Sequence, residues 1–235
     1  MALYVIGDTH FSSDRDKPMD VFGGRWLGYD KKLIASIGEC MQQDDTLVIC
    51  GDFSWGMSLN DTLPDFKLLD GFPGRKILLK GNHDYWWDTV AKMKKFFDAN
   101  GINTIEFLHN NFFEYNSKIL LCGTRGWMYD NSVAPGEEDK IFKREVIRLR
   151  QSLQSAAADS SDRELICFMH YPPVCRDYEI GAFTDVLKEF GVKRCFYGHL
   201  HGESIKNAFR GIRGGIDYQL VSADAVNFVP VKLSD

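Results

Sequence analysis

Lys76-Ile77-Leu78-Leu79-Lys80 runs directly into Gly81-Asn82-His83-Asp84. A largely apolar, strand-like run stops at a glycine, and side chains able to bind a metal or move a proton follow at once. In open α/β sheets, ligands collect just beyond the carboxyl ends of strands, so chemistry is expected here. Taken alone, the tetrapeptide also fits an Asx-type turn leaving a strand. Its weight comes from four other strand ends that carry similar residues.

Leu3 to Ile6 is a short buried-strand pattern ending in Gly7-Asp8-Thr9-His10, and Thr46 to Cys50 is a second ending in Gly51-Asp52. Leu165 to Met169 ends at His170, and Val192 to Tyr197 ends in Gly198-His199-Leu200-His201. Five of the six histidines sit at these ends. Histidines serving the core would be scattered through strand interiors instead.

Helical spacing fills the gaps. Leu33, Ile34, Ile37 and Met41 mark one helix, the stretch around Leu63 to Leu69 a short one, and Val90, Met93, Phe96 and Phe97 another that stops near Asn100-Gly101. Glu137, Glu138 and Asp139 suit the positive end of a helix whose apolar stripe is Phe142, Val146, Leu149 and Leu153. A last helix covers Phe183 to Phe190. Ile105 to Cys122 reads as consecutive short strands with turns at His109-Asn110-Asn111 and Asn116-Ser117, and Ile216 to Leu233 as at least two closing strands. The alternation is α/β, with no repeat or clear linker, so a single domain over residues 1–235 is expected.

Hydrophobic content of 44% and charged content of 26% are ordinary for a soluble globular protein. A net charge of −5 carries no basic footprint, so no stable nucleic-acid partner is expected. No run approaches membrane-spanning length, and the residues before Asp8 are too short for a signal peptide. Of six cysteines, Cys50, Cys122, Cys167 and Cys195 lie in apolar runs and none is spaced Cys-x-x-Cys. They read as reduced core residues of a cytoplasmic protein without a membrane partner.

Carboxylate, imidazole and amide donors without thiolate suit borderline divalent ions such as Mn, Fe, Zn, Co or Ni. The donors are too many for one tetrahedral zinc and enough for two ions sharing a carboxylate. Two such ions, about 3.5–4 Å apart, clamp the attacking and leaving oxygens of an in-line displacement and acidify a bridging water. The residual positive charge of that site favours an anionic substrate, and phosphate esters fit.

Asp8-x-His10, Gly51-Asp52, Gly81-Asn82-His83-Asp84, His170 and Gly198-His199-x-His201 together resemble the five-motif signature of the calcineurin-like metallophosphoesterases. The resemblance implies a four-layer sandwich of two mixed β-sheets flanked by helices. It also implies that Asp8, His10 and His201 hold one metal, that Asn82, His170 and His199 hold the other, and that Asp52 bridges them. His83 would be the catalytic histidine and Asp84 would orient it. Two manganese ions are the expected cofactors.

Departures narrow the branch. Asp52 is followed by Phe53-Ser54-Trp55-Gly56, so the Asp-Arg-Gly of the serine/threonine protein phosphatases is absent, and Trp55 stands where purple acid phosphatases carry a metal-binding tyrosine. The third motif keeps a histidine where lipid A precursor hydrolases usually have arginine. What remains is the group of small bacterial-type phosphohydrolases and phosphodiesterases.

Outside the motifs, Tyr85, Trp86 and Trp87 are candidates to wall a pocket or stack on a base, or else to cap the core. Arg125 and Trp127 are candidates to contact substrate phosphate, with a surface ion pair the other reading of Arg125, while Arg15, Arg25 and Trp26 are candidates for a lip over the first motif or else for a solvated loop. The expected activity is hydrolysis of a small phosphomonoester or phosphodiester, with nucleotide-like substrates in view, by in-line attack of a metal-bridging hydroxide. A nuclease for short oligonucleotides and a non-catalytic scaffold are the alternatives. Oligomeric state is open.

Overall fold

Strands apolar on every residue need cover on both faces, and that is how this chain uses them. The computed structural model describes residues 1–13, 19–128, 137–159 and 162–234. Their strands form two sheets. The first contains β1 (Leu3–Ile6), β2 (Thr46–Ile49), β3 (Arg75–Leu78), β4 (Ile105–Phe107) and β11 (Val231–Ser234), in the order β11-β1-β2-β3-β4. The second contains β5 (Phe112–Asn116), β6 (Ile119–Thr124), β7 (Glu164–Met169), β8 (Arg194–Tyr197), β9 (Gly211–Arg213) and β10 (Ile216–Leu220), in the order β5-β6-β7-β8-β10-β9.

Side chains alternate across each strand. Leu3, Val5, Val48, Cys50, Ile77 and Leu79 of the first sheet therefore meet Leu121, Ile166, Phe168 and Phe196 of the second in one buried layer. Their in-between neighbours face outward. Ile6, Leu47, Ile49 and Leu78 pack against α1 (Tyr29–Cys40), α2 (Leu59–Asp70) and α3 (Val90–Asn100) through Leu33, Ile37, Phe66, Leu69, Met93 and Phe97. Leu120, Cys122, Cys167, Met169, Cys195 and Tyr197 pack against α4 (Glu137–Asp159) and α5 (Gly181–Glu189) through Leu149, Leu153, Phe183 and Leu187. The result is a four-layer sandwich, with each fully buried aliphatic or aromatic side chain contributing about 1.5–3 kcal/mol.

The motif strands are neighbours. β1, β2 and β3 run parallel side by side, as do β7 and β8, so all five motifs leave strands at their carboxyl ends. The antiparallel partners β11, β5 and β9 lie at sheet edges and make both sheets mixed.

Three features go beyond the sequence reading. α2 begins four residues before Leu63, because the Ser58 hydroxyl caps it by accepting from the Asp61 amide at 3.3 Å. The short strands of the 105–122 region do not stay together: β4 joins the first sheet and β5 and β6 the second, so the chain changes sheet near His109. Gly211–Arg213, too short and polar for a periodicity signal, adds the edge strand β9. Among the described residues, no helix is long and apolar enough to cross a membrane.

Candidate metal centre

The turns that follow the motif strands are strained. Asp8, His10, Asp52 and His199 have φ of 56°, 47°, 52° and 70°, a left-handed backbone that costs roughly 1–3 kcal/mol per non-glycine residue. Hydrogen bonds between adjacent turns hold them there. The Asp8 amide donates to the Gly51 carbonyl at 3.0 Å, and that of His10 to the Asp52 carbonyl at 3.0 Å. Each bend aims a side chain into the gap between the sheets.

Glycine precedes four of the motifs, and at two of them space requires it. A Cβ on Gly81 would stand 2.1 Å from Asp52 Oδ1, and one on Gly198 would stand 2.6 Å from Asp8 Oδ2. No other residue leaves room for those carboxylates.

Asp8, His10 and Asp52, all buried, bring donor atoms within 4.8 Å of one another. The His201 ring lies edge-on to that of His10 at 5.6 Å. Facing them, Asn82 Oδ1 sits 2.7 Å from His170 Nε2 and 2.9 Å from His199 Nδ1. Asp52 Oδ2 stands between the two groups, 3.7 Å from His10 Nε2 and 3.7 Å from His170 Nε2. The seven residues expected to ligate thus fall into one cluster with two halves.

The chemistry of this donor set calls for cations. Burial holds His170 well below the ordinary imidazole range, so its ring is neutral. Its Nδ1 is 3.0 Å from the Cys50 carbonyl, which can only accept, so the proton is there. Nε2 is therefore a bare lone pair, 2.7 Å from the Asn82 amide oxygen, another acceptor. With the amide oxygen so placed, two acceptors face each other, an arrangement that a cation between them would stabilise. The carboxylates point the same way: burial pushes Asp8 up to about 8, and burial with the neighbouring Asp84 and Asp8 charges raises Asp52 well above its usual range. Divalent ions would relieve these penalties, and oxygen and imidazole donors fit them.

His83 stands at the lip, half-buried, with its backbone amide donating to Asp52 Oδ1 at 2.8 Å. Its Nδ1 is 3.3 Å from the hydroxyl of Tyr85, an exposed residue. Asp84, beside His83 in sequence, is held by backbone amides and an indole. Its Oδ2 accepts from the amides of Asp52 (2.9 Å) and Gly81 (2.7 Å), and its Oδ1 from the Phe53 amide (2.9 Å) and Trp86 Nε1 (3.0 Å). The buried carboxylate staples the second motif to the third, so it fixes the backbone carrying Asp52.

A family model described as calcineurin-like phosphoesterase matches residues 1–203. The chain belongs to this family. It is accordingly a phosphohydrolase. Among solved structures it is similar to the phosphopantetheinyl hydrolase (PptH) of Mycobacterium tuberculosis, at 16% identity and a TM-score of 0.60, over 94% of this chain and 88% of that one. It is also similar to TT1561 of Thermus thermophilus, at 12% identity and a TM-score of 0.55, over 99% and 97% of the two chains. A third likeness is to AQ665, a protein of unknown function from Aquifex aeolicus, at 16% identity and a TM-score of 0.50, over 98% and 95%. At these identities the likeness is one of fold. No curated protein matches the chain.

The phosphoesterase site has aromatic walls that the sequence reading left among the bland possibilities or missed. Trp55 stacks on His10 with ring centres 4.7 Å apart and packs on His83 at 4.7 Å. Trp26, buried, lies edge-on to His10 at 6.0 Å and to His201 at 5.9 Å, so it is a wall of the centre rather than a solvated lip. Arg15, paired with it in that reading, lies outside the described residues. Trp86 and Trp87 turn into the core beside Phe66 and Phe107, which leaves only Tyr85 of that aromatic triplet at the rim.

Arg125 and Trp127 are placed differently from the phosphate contact expected of them. The Arg125 guanidinium pairs with the fully buried Glu145 at 3.4 Å and rests over the Trp127 ring at 4.9 Å. Its carbonyl, not its side chain, reaches the centre, accepting from the amides of His170 (3.1 Å) and Tyr171 (2.9 Å). Trp127 packs on Tyr171, which in turn lies 4.3 Å from the His199 ring. Both residues support the loop that carries His170. His109, the histidine outside the motifs, packs beside Trp87 and is pushed down to about 4 by burial.

Proposed function

We propose that this phosphoesterase is a dinuclear hydrolase of small phosphomonoesters or phosphodiesters, nucleotide-like ones included. The observation that carries the reading is the gathering of buried Asp8, His10 and Asp52 donor atoms within 4.8 Å of one another, with Asn82, His170 and His199 clustered opposite them. Asp8, His10 and His201 would hold one divalent ion, Asn82, His170 and His199 the other, and Asp52 would bridge them, with manganese the first candidate. When bound, such ions supply positive charge to the phosphoryl oxygens and an acidified water as nucleophile.

The chain's own residues do the rest. His83, at the lip and beside Tyr85, protonates the leaving oxygen or stabilises the charge developing on it. Asp84 keeps the Asp52 and Gly81 backbones fixed, so that Asp52 stays between the two halves. Trp55 and Trp26 keep water from the flank of His10 and hold its ring in one orientation. The reading includes one domain across residues 1–235 and a cytoplasmic location, with no stable nucleic-acid partner.

Initial rates on p-nitrophenyl phosphate and bis-p-nitrophenyl phosphate, using metal-free protein reloaded with manganese, test it. Turnover of either ester that vanishes on chelation is expected, and the faster ester assigns mono- or diesterase preference. No turnover of either, with two ions bound, contradicts the reading.

A further inference from the structure

Two stretches leave the metal centre, one after His170 and one after His201, and they meet again to enclose a second cleft. Its volume is about 550 Å³, and its lining includes Arg176 on the first stretch and Ile205, Lys206, Phe209, Arg210 and Arg213 on the second. A bridge between Cys175 and Ala208 joins the stretches, and the Arg176 amide donates to the Asn207 carbonyl at 2.8 Å. Four cationic side chains therefore face one cavity in a chain whose net charge is −5.

Little acid opposes them. Glu203 lies 3.7 Å from Lys206 Nζ, exposed Asp177 follows Arg176 in sequence, and Asp217 lines a neighbouring cavity together with Arg210. Among the described residues no carboxylate pairs with Arg176, Arg210 or Arg213. Arg213 is held in place: its Nη1 donates to the Cys175 carbonyl at 3.2 Å, its Nη2 to the Arg176 carbonyl at 3.3 Å, and its guanidinium lies 4.0 Å from the Phe209 ring centre. A fixed guanidinium flanked by unpaired ones, beside an aromatic face, matches phosphate oxygens better than any neutral group, because planar N–H forks take two oxygens at once.

We propose that this cleft binds a phosphate-bearing polyanion, with Arg176 and Arg210 contacting it and Arg213 as the preset member. Lys206 lies five residues past His201 through a 3₁₀ segment, a rise of about 2 Å per residue or on the order of 10 Å. A substrate carrying a second phosphate on the order of 10 Å from the reacting one would span that distance. A free polyanion bound apart from substrate offers the same chemistry.

Arginine protection tests the site without relying on turnover. The metal-loaded protein is treated with phenylglyoxal, with and without pyrophosphate, manganese being kept in excess of the probe, and modified peptides are identified by mass spectrometry. Pyrophosphate at about ten times its dissociation constant is expected to slow modification at Arg176 and Arg210 by about tenfold. Arg144, whose side chain is 54% exposed, should react at an unchanged rate. Equal rates at Arg176 and Arg210 with and without the probe overturn the proposal.

The paired variant Arg176→Glu/Arg210→Glu separates the two sources of the anion. It should turn over p-nitrophenyl phosphate as the parent does. A fall of about tenfold in kcat/KM confined to an ester carrying a second phosphate assigns the anion to the substrate. Unchanged rates on both esters, with protection observed in the parent, assign it to a free polyanion. Absence of all turnover would count against the hydrolase reading and leave the protection result standing.

Discussion

The bodies and the ends of the same strands obey opposite rules. Between the sheets, Val48, Ile77, Ile166 and Phe168 are fully buried and apolar, and all face one layer. A few residues further on, Asp8, Asp52 and His170 are also fully buried, yet they are polar and tightly clustered, and the two aspartates sit on left-handed backbone. The first region stabilises the fold by removing apolar surface from water. The second opposes it through strain and desolvated carboxylates, and persists because the first surrounds it. Stability and chemistry are thus separable along one strand, and a substitution should affect mainly one of them.

The largest expected effect belongs to the end of the third strand. His83→Ala should lower kcat on an activated phosphoester by about 10²–10⁴-fold while leaving metal content, measured by atomic absorption, unchanged. Gly81→Ala places a methyl against Asp52 Oδ1; activity should fall about 100-fold, as expected for displacement near 1 Å, with bound metal reduced. Its counterpart in a strand body is Ile166→Ala, which should cost about 2–5 kcal/mol in urea denaturation and leave kcat of the folded fraction near the parent value. If Ile166→Ala abolished turnover while the protein stayed folded, the separation would fail.

Smaller effects sharpen the comparison. Asp84→Asn puts an amide N–H₂ where two of its partners are also donors, so manganese affinity should drop by about 10–100-fold, read by titration calorimetry.

In metal-free protein, the pH profile should bear the mark of the strand ends. Burial raises Asp8 from 3.8 to about 8, so the folded state holds a proton that the unfolded state has lost. That stabilisation is complete below the unfolded value and fades as pH rises through the folded one. His170 and His201 are lowered by burial from 6.5, so their effect has the opposite sign and is confined to pH below 6.5. Between pH 6.5 and 8 the melting temperature of the metal-free protein should therefore fall as pH rises. Manganese affinity should increase over the same interval as the competing proton leaves.

Much of this was legible in the residues because both faces of the sheets are covered. Runs such as Leu3 to Ile6 and Leu165 to Met169 are continuous and apolar, and each ends abruptly at polar donors. The seven expected ligands fall together for that reason. What periodicity does not encode is direction. Asp84 could be placed in the site by its position, but its hydrogen-bond partners at Asp52 and Phe53 come from another strand. Arg125 follows a strand end like the motif residues, yet the buried Glu145, supplied by α4, draws its guanidinium aside. Trp55 and Trp26 acquire their roles only when distant turns close on His10.

The central claim is that the seven donors form one centre for two ions. Anomalous diffraction at the manganese edge, from crystals grown with the metal, tests it most directly. Two peaks about 3.5–4 Å apart are predicted, with Asp52 touching both, Asp8, His10 and His201 on one, and Asn82, His170 and His199 on the other. A single peak, or peaks away from Asp52, would contradict the account.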